Sequence, residues 1–256
     1  MKFQVDSKVL YNALSDIRGK GKYTGMSGLS TKDLGEYAYL KLEGNSLELW
    51  NGDATMALSI VLDIQGEKDG DMIVEIGPTL SYLKAVEGEV SLELNDTLTM
   101  SMDNGRQVMT LPRILEHPDI TAITRIRGMI ADISPFEYTD KEIELPLFGA
   151  SKFEAVFNMD SSVFARIMGL CELVKTGIYR MDFGHGDLKI SSGQTNNNYT
   201  ESTIIGEWSG EEATVEWSGP LHKFFKNKKV SFYVKDEFPI LLVSDDRKLI
   251  RAPHVG

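Results

Sequence analysis

Apolar residues recur along this chain with two periods, and each period appears twice. After Asp6, the residues Val9, Leu10, Ala13, Leu14 and Ile17 follow the i, i+1, i+4, i+5, i+8 spacing of one helical face. After Asp160, the residues Val163, Phe164, Ile167, Met168 and Cys171 do the same. An Asp-Ser pair (Asp6-Ser7, Asp160-Ser161) stands where each helix needs an N-cap. Alternating segments at 38–42, 55–62, 178–183 and 200–208 predict short strands. Pro78 and Pro220 each suit the first turn of a shorter second helix, and residues 90–94 and 230–234 predict closing strands. Gly44-Asn45 and Asp245-Asp246 carry the turn chemistry of hairpins.

The recurrence extends to the residues themselves. FQVDSKVL at 3–10 matches FNMDSSVF at 157–164, with Phe, Asp, Ser and Val in register. Gly77-Pro78 leads through Val90-Ser91-Leu92 and Asp96 to Leu111-Pro112. Gly219-Pro220 leads through Val230-Ser231-Phe232 and Asp236 to Ala252-Pro253. Two matches in the same order predict a tandem duplication of class α+β, in which each copy is a mostly antiparallel sheet with two helices on one face. The domains expected are 1–112 and 151–256, joined by a connector at 113–150. Within the connector, residues 132–144 hold five acids and one base around Ile133, Pro135, Phe136 and Tyr138. A connector of that length is functional or disordered.

Composition narrows the chemistry. Of the 256 residues 42% are apolar, as in core-forming proteins, and the net charge is −11. Cys171 is the only cysteine, which excludes an internal disulfide and a cysteine-rich zinc site. No apolar run is long enough for a membrane helix, and residues 1–6 lack the apolar run of an export signal, so a cytosolic protein is expected. Catalytic patterns fail one by one. Residues 19–23 (GKGKY) lack the Walker spacing, and the four histidines (His117, His185, His222, His254) show no metal-ligand pairing. Asp245-Asp246 reads as a turn, and Cys171 occupies an apolar helix position. The expectation is no active site, no metal and no cofactor. An enzyme with a diffuse carboxylate site, around Asp53 or Asp187, is the reading that would oppose it.

Positive charge is concentrated on the helical segments. Residues 7–22 carry Lys8, Arg18, Lys20 and Lys22 against Asp16, and residues 219–229 carry Lys223, Lys226, Lys228 and Lys229 against no acid. Lys8, Asn12, Ser15 and Arg18 lie opposite the first apolar stripe, and Ser162, Arg166 and Gly169 opposite the second. A basic helical layer on an otherwise acidic chain suits sequence-nonspecific, salt-sensitive contact with a phosphate backbone. The same pattern also suits ordinary solvated helix faces.

These residues resemble a family, the DNA polymerase sliding clamps. LELWNGDATMALSIVL at 47–62 resembles the strand–turn–strand of clamps, and 157–168 resembles the start of the second domain of PCNA. DLKISSG at 187–193 is similar to a PCNA hairpin, LIRAPHV at 249–255 to its C-terminal Ala-Pro segment, and IELPLF at 143–148 to the connector of tailed-phage clamps. The resemblance implies a DNA-clamp fold and a head-to-tail ring around duplex DNA. With two domains per chain it implies a homotrimer, a replicative DNA polymerase as partner and a clamp-loader ATPase that opens the ring. It places Lys8, Arg18, Lys20, Lys22, Lys84, Arg166, Lys223 and Lys226 toward DNA. It places Trp50, Ile133, Pro135, Phe136, Tyr138, Ala252 and Pro253 at or near a pocket for partner peptides, although core packing suits the same residues. Edge strands at 200–208 of one subunit and 106–111 of the next are expected to pair. Bacterial-like and PCNA-like features together point to a virus, and so to the host cytoplasm. The alternatives are a subunit of a heteromeric clamp, or a phage clamp that also coactivates transcription.

Overall fold

The computed structural model describes residues 1–18, 35–53, 55–102, 105–139, 144–184, 187–193 and 198–254. It divides into two units. Among the described residues, 1–18 and 35–126 form the first and 127–254 the second.

The first unit opens with β1 (Lys2–Asp6) and α1 (Ser7–Arg18), then runs through β2 (Tyr37–Glu43), β3 (Ser46–Gly52), β4 (Met56–Asp63), β5 (Gln65–Lys68) and β6 (Gly70–Glu75). Helix α2 (Ile76–Ala85) and strands β7 (Glu89–Leu94), β8 (Thr97–Met102) and β9 (Gln107–Pro112) close the repeat, and α3 (Pro118–Ile130) follows. One antiparallel sheet has the order β5-β1-β7-β8-β9, and a run of four is ordered β6-β2-β3-β4. Both helices pack together on the sheets through Leu10, Leu14, Ile17, Leu80 and Leu83, all buried.

The second unit begins its own fold with the short hairpin β10 (Leu147–Phe148) and β11 (Ser151–Lys152). Its repeat comprises β12 (Ala155–Asp160), α4 (Ser161–Glu172), β13 (Ile178–Gly184), β14 (Asp187–Gly193), β15 (Tyr199–Ile205), β16 (Trp208–Gly210), β17 (Ala213–Ser218), a 3₁₀ turn (His222–Phe224), β18 (Lys229–Val234), β19 (Ile240–Val243) and β20 (Arg247–Arg251). Its strand orders are β16-β12-β18-β19-β20 and β17-β13-β14-β15. Element for element these repeat the first unit, with β12 in the place of β1 and α4 in that of α1. The duplication read from Phe3 and Phe157 is thus a duplication of topology.

Several expectations need correction. The second copy has no second α-helix after Pro220, only the single 3₁₀ turn. The carbonyl of Phe224, which a longer helix would use internally, accepts instead from Arg247 Nη1 at 2.7 Å, and Asn227 takes a left-handed φ of 54°. Val9 lies outside the apolar face and is 43% exposed, while Ser7 and Asp16 are buried in α1. Asp6 caps α1, accepting from the amides of Lys8 (2.9 Å) and Val9 (3.1 Å), but Asp160 makes no capping bond. Ser161 Oγ there accepts from Lys228 N instead, at 2.9 Å.

The segment 200–208 is two strands belonging to two sheets, β15 and β16. Gly206 makes the corner, because a Cβ there would lie 2.7 Å from Phe157 Cζ. Finally, the connector is helical over 118–130. Ile120, Ile123 and Ile130 are its buried face, a signal present in the sequence beneath the acidic composition around it.

Candidate nucleic-acid and partner-binding surfaces

In the first unit, α1 turns its apolar stripe inward, which leaves Lys8 and Asn12 exposed and Arg18 and Ser15 half-buried. Lys84, in the last turn of α2, is exposed. In the second unit Ser162, Arg166 and Gly169 form the exposed side of α4. Lys223 and Lys226, in and just after the 3₁₀ turn, are exposed as well. Lys20 and Lys22 lie outside the described residues. Among the described residues Lys8, Lys84, Arg166 and Lys223 form no ion pair.

Two lysines of the cluster at 219–229 are held by carboxylates from elsewhere in the fold, which the sequence does not reveal. Lys228 faces Asp246 at 3.4 Å, and Lys229 forms an ion pair with Glu207, whose carboxyl it holds below the usual carboxylate range. Lys223 and Lys226 add exposed positive charge beside them. His222 adds none near neutral pH. Burial lowers its pKa and Lys223 lowers it further, against the opposing pull of Glu172.

Of the residues assigned to a partner pocket, Trp50 lies in the first unit with no exposed surface. Core packing is the role it plays there. The other six lie in the second unit. Tyr138 is 54% exposed, Pro135, Ala252 and Pro253 are half-buried, and Ile133 and Phe136 are buried.

Residues 133–136 form a strap, fastened by side chains. Phe136 N donates to Ser231 Oγ (2.7 Å), Asn158 Nδ2 donates to Phe136 O (2.9 Å), and Ser231 Oγ donates to Asn158 Oδ1 (2.8 Å). Tyr233 donates its hydroxyl to Ser134 O at 2.6 Å, and burial pushes that phenol up to about 12, so it stays a donor at neutral pH. Beside it Phe153 packs between Tyr233 (5.7 Å) and Phe238 (5.9 Å), and Phe148 meets Phe238 edge-on at 5.5 Å. This aromatic cluster joins two distant stretches, 148–153 and 233–238, which is why no local pattern shows it.

The residues weighed as catalysts have structural duties. Asp53 Oδ1 accepts from Thr55 N, Thr55 Oγ1 and Met56 N, holding the turn before β4. Asp245-Asp246 sits in the β19–β20 turn closed by Ser244 N to Arg247 O at 2.8 Å. Burial pushes the Cys171 thiol up, which disfavours the thiolate.

Strands β9 and β15 are each the last strand of their sheet, and both are largely exposed, with Val108 and Ile205 uncovered.

No family model and no curated protein sequence matches this chain. Solved structures do. A Helicobacter pylori beta clamp bound to a DNA ligase peptide matches with a TM-score of 0.68 at 13% identity, over 100% of this chain and 67% of that one. The Thermotoga maritima DNA polymerase III beta subunit gives 0.67 at 12% identity, over 100% and 66%. A. fulgidus PCNA, bound to the C-terminal region of FEN-1, gives 0.65 at 13%, over 100% and 98%. The chain thus spans about two-thirds of the bacterial clamp chains and nearly all of the PCNA chain. No helix among the described residues is long and apolar enough to cross a membrane. From β1 to β20, this chain has the fold of the DNA polymerase sliding clamps.

Proposed function

We propose that the chain is a sliding clamp, a non-enzymatic processivity factor that encircles duplex DNA and tethers a replicative DNA polymerase. The observation that carries this reading is the coincidence of the clamp fold over the full chain with exposed cations on the helices of both units, on a chain of net charge −11. A handful of lysines and arginines meets phosphate weakly and without regard to sequence. Weak contacts suffice when a closed ring prevents escape, and they permit sliding.

The near-complete span of a two-unit PCNA chain supports a ring of three copies. Its contacts would join β15 of one copy to β9 of the next, each the last strand of its sheet among the described residues. A closed ring needs an ATP-driven loader to open it. Peptides of DNA ligase and FEN-1 on the bacterial and archaeal clamps support replication proteins as further partners, docking where Pro135, Tyr138, Ala252 and Pro253 retain surface. The resemblance of the connector to tailed-phage clamps supports a viral protein working in the host cytoplasm.

Light scattering over a dilution series tests the assembly, with a mass of three chains expected. Retention on a nicked circular DNA, compared with the same DNA linearised, tests encirclement. Release on linearisation supports the ring. A persistent monomer that leaves both DNAs equally fast overturns it.

A further inference from the structure

In both units the first residue of the last strand touches the second helical element, but the chemistry is reversed. In the first unit Gln107 opens β9, and its carbonyl accepts from the hydroxyl of Tyr82, on α2, at 3.1 Å. In the second unit Arg247 opens β20, and its side chain bonds the main chain of the 3₁₀ turn. Arg247 Nη1 donates to Phe224 O at 2.7 Å, and Arg247 Cζ lies over the Phe224 ring, 5.1 Å from its centre.

The reversal matters because α2 places its own cation. Lys84 stands in the last turn of a ten-residue helix, where repeating backbone bonds set its direction. Lys223 stands in a three-residue turn whose closing bond, Phe224 N to Leu221 O, is long at 3.5 Å. Phe225 is already extended, and Asn227 is left-handed. So short a segment does not fix its own conformation. Burial of Leu221, Phe224 and Phe225 seats the turn, yet apolar burial is not directional.

Direction comes from hydrogen bonds sent by other elements. Ser161, at the start of α4, donates its amide to Lys228 O at 2.8 Å and accepts from Lys228 N at 2.9 Å. Asp246 faces Lys228 at 3.4 Å. Both hold the far end of the segment, whereas Arg247 reaches the 3₁₀ turn itself. Its side chain is only 16% exposed, and Asp246, 3.9 Å from its Nε, offsets its charge.

We infer that Arg247 is a positioning residue for DNA contact: by holding the carbonyl and ring of Phe224, it fixes the direction in which Lys223, one residue earlier, meets phosphate. The inference rests on the proposed reading of Lys223 as a DNA-facing cation. Arg247 acts through Lys223 and makes no contact with DNA of its own.

The test combines amide exchange with a double-mutant cycle on the full chain. Arg247→Met removes the donor and the charge and keeps an apolar stem. Exchange across 222–228 is expected to accelerate, while that across β13 and β14 stays as in the wild type. Affinity for a short DNA duplex is then followed over a salt series. The slope of log affinity against log salt is expected to fall by about one in Arg247→Met and by about one in Lys223→Gln. In the double variant it is expected to fall by about one in total, because a released Lys223 and an absent one are equivalent. With Lys84→Gln as the second change, the two losses are expected to add. Losses that add in the Arg247→Met/Lys223→Gln pair mean that Arg247 meets phosphate itself or props the whole unit, and they overturn the inference. Unchanged exchange across 222–228 overturns it as well. A Lys223→Gln slope equal to that of the wild type overturns the DNA reading and the inference with it, a failure visible without any change at Arg247. Arg247→Lys decides the matter where the methionine variant does not fold. It keeps the charge but lacks the planar fork that spans carbonyl and ring, so faster exchange and a lower slope are expected although no charge is removed. A wild-type value of either overturns the inference.

Discussion

Lys248 reaches from β20 to the C-terminal end of α3, where its ammonium bonds the carbonyls of both Ile130 and Ala131. Ile130 is the last residue of α3 and its carbonyl also accepts from Ile133 N at 3.2 Å, with Ala131 next in the chain, so the ammonium sits at the negative end of the helix dipole. Replacing the lysine removes charge and donors together. Lys248→Met is expected to cost about 1–2 kcal/mol and to speed amide exchange through the last turn of α3 and the strap beyond it. A denaturant midpoint together with segment-resolved hydrogen exchange would show both.

The lysines of the second unit are expected to part company on DNA. Lys223→Gln should weaken retention on circular DNA and lower the slope of log affinity against log salt by about one if Lys223 meets phosphate. Lys228→Gln and Lys229→Gln should leave that slope unchanged, because Asp246 and Glu207 already hold them. Equal slopes for all three variants would mean that the 3₁₀ turn does not face DNA.

The two Asp-Ser pairs look alike in sequence and differ in duty. Asp6→Ala removes two bonds to the first turn of α1 and is expected to cost about 1 kcal/mol. Asp160→Ala removes no capping bond and should stay within about 0.5 kcal/mol of wild type. Chemical denaturation of the two variants side by side separates them.

Phe164 is completely buried, edge-on to Phe232 at 4.9 Å and to His222 at 6.3 Å. Phe164→Ala is expected to destabilise the chain by about 3–5 kcal/mol through lost burial and the space left behind. Phe164→Leu, which keeps most of the volume, should recover the larger part of that loss.

Burial of His222 makes stability depend on pH in a definite direction. Its folded pKa lies below the ordinary 6.5, so in the interval between the two values the unfolded chain binds more protons. Stability should therefore fall as pH drops through 6.5, and the loss is complete below the folded pKa. Glu154 and Glu207 have pKa values lowered from 4.5 by bonds to Lys235 and Lys229, and they lose their contribution only at more acid pH. Urea midpoints from about pH 7.5 to about pH 5.5 should decline for the wild type and flatten for His222→Gln.

What the sequence revealed followed from local spacing. Leu10, Leu14 and Ile17 declare α1 by themselves, and Phe3 with Phe157 registers the two copies without any knowledge of their partners. The features that were not legible depend on distant residues. The helix expected after Pro220 is cut short by Arg247, more than twenty positions on, which takes the Phe224 carbonyl. Ile133 and Phe136 look like pocket walls until Ser231, 95 positions from Phe136, proves to be their anchor. Lys228 and Lys229 look free until Asp246 and Glu207 arrive from other turns. Trp50 carries no mark that distinguishes a core indole from one at a surface. Helix α3 is the exception, since Ile120, Ile123 and Ile130 showed its periodicity and only the acidic residues that follow concealed it.

In each copy the chain crosses from one sheet to the other within one or two residues, at Ile64 between β4 and β5 and at Gly206-Glu207 between β15 and β16. The corner has a mechanical meaning. Tension applied along β15 passes through covalent backbone into β16, and from there into the three-residue pairing of β16 with β12. That short pairing offers only three residue pairs to carry the load. A protein pulled by its edges would give first at the strand pairings beyond the corner, with the corner itself intact.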